Sequence, residues 1–185
     1  MKLHFVDAEK IRNTIDTDFS GAATHEDFPW IPAGELWLDT HFKKEQKLFV
    51  TLEALERKMK KRPFKEVRAA AQKQFIQEGS SVAVLKTMKK SGYVIRIVDG
   101  ASVRRAVDPF FMLGGHDLVY SYLPKNEIWI DSCQSKQEQL YTLEHELKER
   151  ELMHKGMSYY DAHDYAIAYE RSLRRRDGVA DFLRG

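Results

Sequence analysis

His145 and Glu149 stand four residues apart in the run LEHELKERELMHKGMSYYDAHDYAIAYE, which begins at Leu143. On a helix that spacing puts both side chains on one face, about 40° apart. Glu146 follows His145 directly, so a second carboxylate lies on the flank of that face. The spacing follows the logic of the HExxH zinc helix, where ligands at i and i+4 hold the metal and the glutamate is the general base. Here the second ligand position is Glu149 rather than a histidine. Farther along, His163 and Glu170 are seven residues apart and share a face, which an antiparallel helix pair would turn toward His145. His145, Glu149 and His163 together offer two imidazoles and one carboxylate. That set suits a catalytic Zn²⁺ with an open fourth position, or another divalent ion such as non-haem Fe(II). Glu170 reads either as a fourth ligand, which would close the site, or as a partner orienting His163.

An isolated HExxE match is a weak signal, because glutamates at i, i+4 commonly decorate solvated helix faces. Two neighbours strengthen it. EIWID (Glu127–Asp131) reads as a strand just before the helix, where a zincin places the edge strand that aligns its substrate. Gly156 breaks the chain between the two histidine-bearing segments, so the second can fold back on the first. Lesser candidates surround the set. His116 follows Gly114 and Gly115 and reads either as an exposed residue of a tight turn or as a ligand or substrate contact. Trp129 and Tyr160 are possible substrate contacts, and Tyr159, Tyr160 and Tyr165 divide between an oxyanion donor and aromatic core. His154 lies off the His145 stripe and reads as surface. Cys133 has no partner in sequence and reads as a small buried residue.

The elements that must position these residues occur twice. Val6–Asp39 aligns without gaps on Val98–Asp131 at an offset of 92, with nine of 34 positions identical, among them Arg12/Arg104, Trp37/Trp129 and Asp39/Asp131. Chance would give about two identities. Each copy reads as strand, short helix, loop, strand, helix, helix: LHF or VIRIV opens it, and ELWL or EIWI is its second strand. Ser132 or Ser135 would cap the long helix of the second copy, with Leu140, Leu143 and Leu147 as its apolar stripe. Ser158 would cap a last helix to about Arg174. Val82–Lys90 fits helix or strand equally. At the same offset the first copy carries Glu53, Ala54 and Arg57 at the positions of His145, Glu146 and Glu149, and, where about three extra residues in the second copy shift the register, Arg68 at that of His163. The scaffold persists while the candidate ligands differ together, which sets them apart as chemistry.

The expectation is therefore an α+β protein of two duplicated β-α-β-α-α units, a degenerate N-terminal repeat over 1–92 and a C-terminal repeat over 93–185 carrying the site. Thirty Lys+Arg against 28 Asp+Glu leave a formal charge of +2 over 185 residues, no argument for a nucleic-acid binder. The basic runs Lys58–Lys65 and Arg171–Arg176 read as solvated helix ends. One cysteine excludes an internal disulfide and fits a reducing compartment. No apolar stretch approaches the roughly 20 residues of a membrane span, and the N-terminus lacks a secretory h-region, so a cytoplasmic location is expected.

PKNEIWID followed by HELKERELMHKGMSYYDAHDYAIAYE, with the upstream VDG and GGH, resembles a family of short phage- and prophage-encoded proteins. Its pattern is approximately IPxxEIWID, HExxERxLM and GxxYxxAHxxAxxxE. The resemblance covers about Tyr93 to Arg174 and is similar in helix and strand arrangement to minimal zincin metallopeptidases. It implies a viral protein working in the host cytoplasm. The expected activity is peptide or protein hydrolysis, with Zn²⁺ held by His145, Glu149 and His163 and Glu146 activating water. A non-enzymatic phage accessory protein, whose metal is structural or missing, is the alternative reading.

Overall fold

Short stretches rich in β-branched and aromatic residues form the strands, and turns set their pairing. In the N-terminal stretch Lys2–Val6 (β1) lies parallel to Glu35–Asp39 (β3), with Ala22–Thr24 (β2) antiparallel on the other side of β3. Later in the chain Val84–Lys90 (β4), Tyr93–Val98 (β5), Gly114–His116 (β6) and Glu127–Asp131 (β7) form a second sheet in the order β4-β5-β7-β6. The stretch whose sequence fits helix or strand is thus a strand, the antiparallel partner of β5. The registers of the two sheets correspond at the offset of 92: Lys2 faces Glu35 as Val94 faces Glu127, and Ala22 faces Leu38 as Gly114 faces Ile130. The computed structural model describes residues 1–180 and is mixed α+β. Among those residues no helix is long and apolar enough to cross a membrane.

The helices are Ala8–Thr14 (α1), Gln46–Met59 (α2), Phe64–Phe75 (α3), Gly100–Ala106 (α4), Lys136–His154 (α5) and Tyr159–Arg176 (α6). Contacts divide the chain into two compact units that exchange their short helices. One unit comprises Met1–Ala8, Phe19–Val82 and Ala101–Phe111, so it takes most of α4. There Arg104 is fully buried and donates to Glu45 at 2.9 and 2.6 Å and to the Phe111 carbonyl at 3.0 Å. The other comprises Glu9–Asp18, Ala83–Gly100 and the described residues from Met112 onward, so it takes most of α1.

This second unit carries the candidate ligands. Its core is Ile95, Ile128 and Ile130 of the sheet against Leu143 of α5, with Ile97 and Leu147 packed around them. Ser135 caps α5, accepting the Glu138 N–H, and Ser158 caps α6, accepting the Asp161 N–H. Between them Gly156 takes φ +94°, a left-handed conformation that closes α5 through Gly156 N–H to Met153 O (2.9 Å) and Met157 N–H to Leu152 O (3.1 Å). The short turn sends α6 back along α5, and buried Ala162 and Ala166 let the two helices approach closely.

Two expectations need correction. Glu127–Asp131 is not an edge strand: β5 and β6 pair with it on either side, all five residues are buried, and the edge beside it is β6. Nor is Leu140–Leu143–Leu147 the buried stripe of α5, since Leu140 is 52% exposed. The buried face is largely polar and includes Glu138, Thr142, His145 and Glu149, spaced by four, three and four residues.

Close approach of β6 to α5 depends on Gly114, where an added Cβ would lie 2.8 Å from Thr142 Cγ2 and 3.1 Å from the Trp129 carbonyl. Gly114→Ala should therefore cost about 1–3 kcal/mol in urea unfolding, the usual penalty of overpacking. An unchanged unfolding midpoint would contradict this packing of β6.

Candidate metal centre

Strand alternation decides what faces α5. Ile128 and Ile130 of β7 point into the α5 core, so Trp129 points to the opposite face. It is 8% exposed and donates its indole N–H to Glu127 at 2.9 Å, away from the candidate ligands. His116 pairs with Ile128 across the β6–β7 ladder and therefore shares the α5 face. It is fully buried, with Nε2 2.9 Å from Glu149 Oε1. The exposed-turn reading of His116 is thus overturned, because Gly114 and Gly115 belong to a strand.

His145, Glu149 and His163 converge. His145 Nε2 lies 3.2 Å from His163 Nδ1 and 3.6 Å from Glu149 Oε2, and the remaining edge, His163 Nδ1 to Glu149 Oε2, is 2.7 Å. Ligand atoms about 2.0–2.1 Å from a tetrahedral zinc stand roughly 3.3 Å apart, so this triangle has the size of one face of such a site. Glu146, half-buried, can form a second potential set with His116 and Glu149, the three ligand atoms lying within 4.8 Å of one another.

Each imidazole is held from behind. His145 Nδ1 meets Glu170 Oε2 at 3.0 Å, so Glu170 orients His145 rather than His163. His163 Nε2 meets Asp18 Oδ1 at 3.3 Å, and Tyr159 stacks on the His163 ring with centroids 5.5 Å apart. Carboxylates behind ligating imidazoles fix ring orientation and tautomer. Asp18 escaped the sequence reading because it belongs to the N-terminal stretch and reaches the site only through the exchanged segment Glu9–Asp18.

Behind Glu170 runs a buried alternation of charge. Arg174 donates to Glu170 at 2.6 and 2.9 Å and to Glu138 at 2.6 and 2.9 Å, and Arg12 of α1 donates to Glu138 at 2.6 Å. Arg174 is 0% exposed, which corrects the reading of Arg171–Arg176 as wholly solvated. A signal was present: on α6 Glu170 and Arg174 are four apart, and on α5 Glu138 begins the polar stripe. Tyr160 is 79% exposed, and Tyr159 and Tyr165 are exposed too, so none of the three is core. Cys133 is half-buried and His154 exposed.

The site's electrostatics follow from this packing. Burial pulls the His145 and His163 pKa values down, but carboxylates override it. Glu149 and Glu170 raise His145 to about 10, and Asp18 and Glu149 raise His163 to about 9. Burial likewise pushes Glu149 up, yet hydrogen bonds from His116, His145 and His163 hold it well below the usual carboxylate range. Burial, and then the charge of Glu149, drives Glu146 up to about 7. One carboxylate is thus kept ionised while its neighbour is poised to exchange a proton near neutral pH.

The chain matches no protein-family model, no curated protein and no solved structure.

In metal-free protein the raised imidazoles stabilise the fold. That contribution is complete below the unfolded value of about 6.5 and is lost as pH rises through about 9 and about 10. Chelator-treated wild type should therefore lose unfolding free energy across that window more steeply than a His145→Gln, His163→Gln double variant. Parallel pH profiles would contradict the shifts.

Proposed function

We propose that this protein is a zinc-dependent hydrolase of peptides or proteins, with a zincin-like centre in the second of two duplicated units. The observation that carries the reading is the His145–Glu149–His163 triangle, whose edges of 3.2, 3.6 and 2.7 Å bracket the roughly 3.3 Å of a tetrahedral zinc face and whose imidazoles both have carboxylates behind them. Correspondence of the two sheet registers at the repeat offset supports the duplication.

His145, Glu149 and His163 would hold the ion, leaving a fourth position open. A zinc there supplies a Lewis acid that lowers the pKa of water toward about 7 and polarises a carbonyl. Glu146, on the flank of the His145–Glu149 face, would take a proton from the attacking water and return it to the leaving amine. An extended substrate would add to β6, the edge strand, by main-chain pairing. The N-terminal unit is a pseudo-copy. Glu53 and Arg57 of α2 form an i, i+4 ion pair where the second unit has His145 and Glu149, so a side-chain cation stands in for the metal's charge. In a host cell the protein would act in the cytoplasm.

Hydrolysis of casein or a peptide library tests the reading. Glu146→Gln should keep its zinc and lose at least about 100-fold in rate, the low end of what a general base contributes. Equal rates for variant and wild type would overturn it.

A further inference from the structure

Two sets of donors share Glu149. One is His145, Glu149 and His163, and the other is His116, Glu146 and Glu149. Taken at face value, they describe a two-ion centre bridged by a carboxylate. The hydrogen bonds around His116 point elsewhere.

The Leu118 N–H lies 3.2 Å from His116 Nδ1. A backbone N–H can only donate, so Nδ1 must be the acceptor, and in a neutral imidazole the proton then sits on Nε2. Nε2 is the atom 2.9 Å from Glu149 Oε1, so His116 donates to that oxygen. To ligate a metal through Nε2, His116 would have to carry its proton on Nδ1, facing the Leu118 N–H with two hydrogens opposed. The two carboxylate oxygens of Glu149 are meanwhile divided: Oε1 takes the His116 proton, and Oε2 is the atom within 2.7 Å of His163 Nδ1 and 3.6 Å of His145 Nε2. His116 can reach Glu149 because Gly114, opposite Ile130, lets β6 lie against α5, and because His116 shares the α5 face with Ile128.

We propose that His116 is a positioning residue. Locked by the Leu118 N–H as the Nε2–H tautomer, it fixes Glu149 so that Oε2 alone is presented to a single metal ion. The inference rests on the metal reading above and completes it: Glu170 holds His145, Asp18 holds His163, and His116 holds the third ligand. Glu146 is left unligated and free to move protons.

The test uses the full-length protein, titrated with Zn²⁺ alone, with imidazole nitrogens observed by long-range ¹H–¹⁵N spectra. Wild type should bind one zinc, with His116 Nε2 protonated in the loaded protein. His116→Ala should keep the stoichiometry but bind zinc about 10–100-fold more weakly, the usual cost of losing a residue that orients a ligand. His116→Gln, whose amide N–H can reach Glu149 from the same direction, should recover most of that affinity. Should the alanine variant fail to fold, the glutamine variant and the wild-type tautomer carry the test. Two zinc ions per wild-type chain, with a metallated His116 Nε2, would overturn the inference while leaving the metal reading intact. So would wild-type affinity in folded His116→Ala. No zinc on wild type would overturn both.

Discussion

A carboxylate and two imidazoles aim ligand atoms at one another inside the fold, at separations of 2.7 to 3.6 Å. Lone pairs brought this close out of water repel unless positive charge lies among them, supplied either by protons on the imidazoles or by a metal ion. Much of the second unit is built to hold that arrangement. The buried polar face of α5 exists to present it, and the alanines of α6 bring His163 within reach. Charge alternates outward through Glu170, Arg174, Glu138 and Arg12, so that each carboxylate of this chain faces a guanidinium.

The same network gives the N-terminal stretch a part in the centre. Arg12 ends the charge alternation and Asp18 backs His163, yet both belong to a segment that precedes the site by more than a hundred residues. A stretch that carries none of the candidate ligands thereby contributes to their support. Arg104, 92 residues after Arg12, is buried in the other unit with Glu45, so each unit takes a short helix from the other half of the sequence.

What could be read in the sequence was whatever is local. Helix spacing placed His145, Glu146 and Glu149, Ser135 and Ser158 announced the caps, and Gly156 marked the turn between α5 and α6. The alignment at an offset of 92 singled out strand segments in both halves, and the sheets pair those segments in corresponding registers. What escaped was set by long-range pairing. That β7 is internal follows from the short strand β6, whose Gly-Gly-His reads as a turn because two glycines usually make one. His116 and Asp18 reach the site through cross-strand register and helix exchange, which no spacing rule encodes. The apolar stripe on α5 misled for a physical reason: a helix that presents a charged site to the interior buries polar residues, and Leu140 is left outside.

At matching positions of the alignment, α2 and α5 differ in how positive charge is supplied. Glu53 and Arg57 satisfy one another within α2, whereas His145, Glu149 and His163 bring donor atoms together that protons on the imidazoles or a metal ion can hold. Elemental analysis of protein purified without added metal, beside His145→Ala, tests that account most directly. The account predicts about one divalent ion per wild-type chain and a marked loss in the variant. Sub-stoichiometric metal in both samples would contradict it.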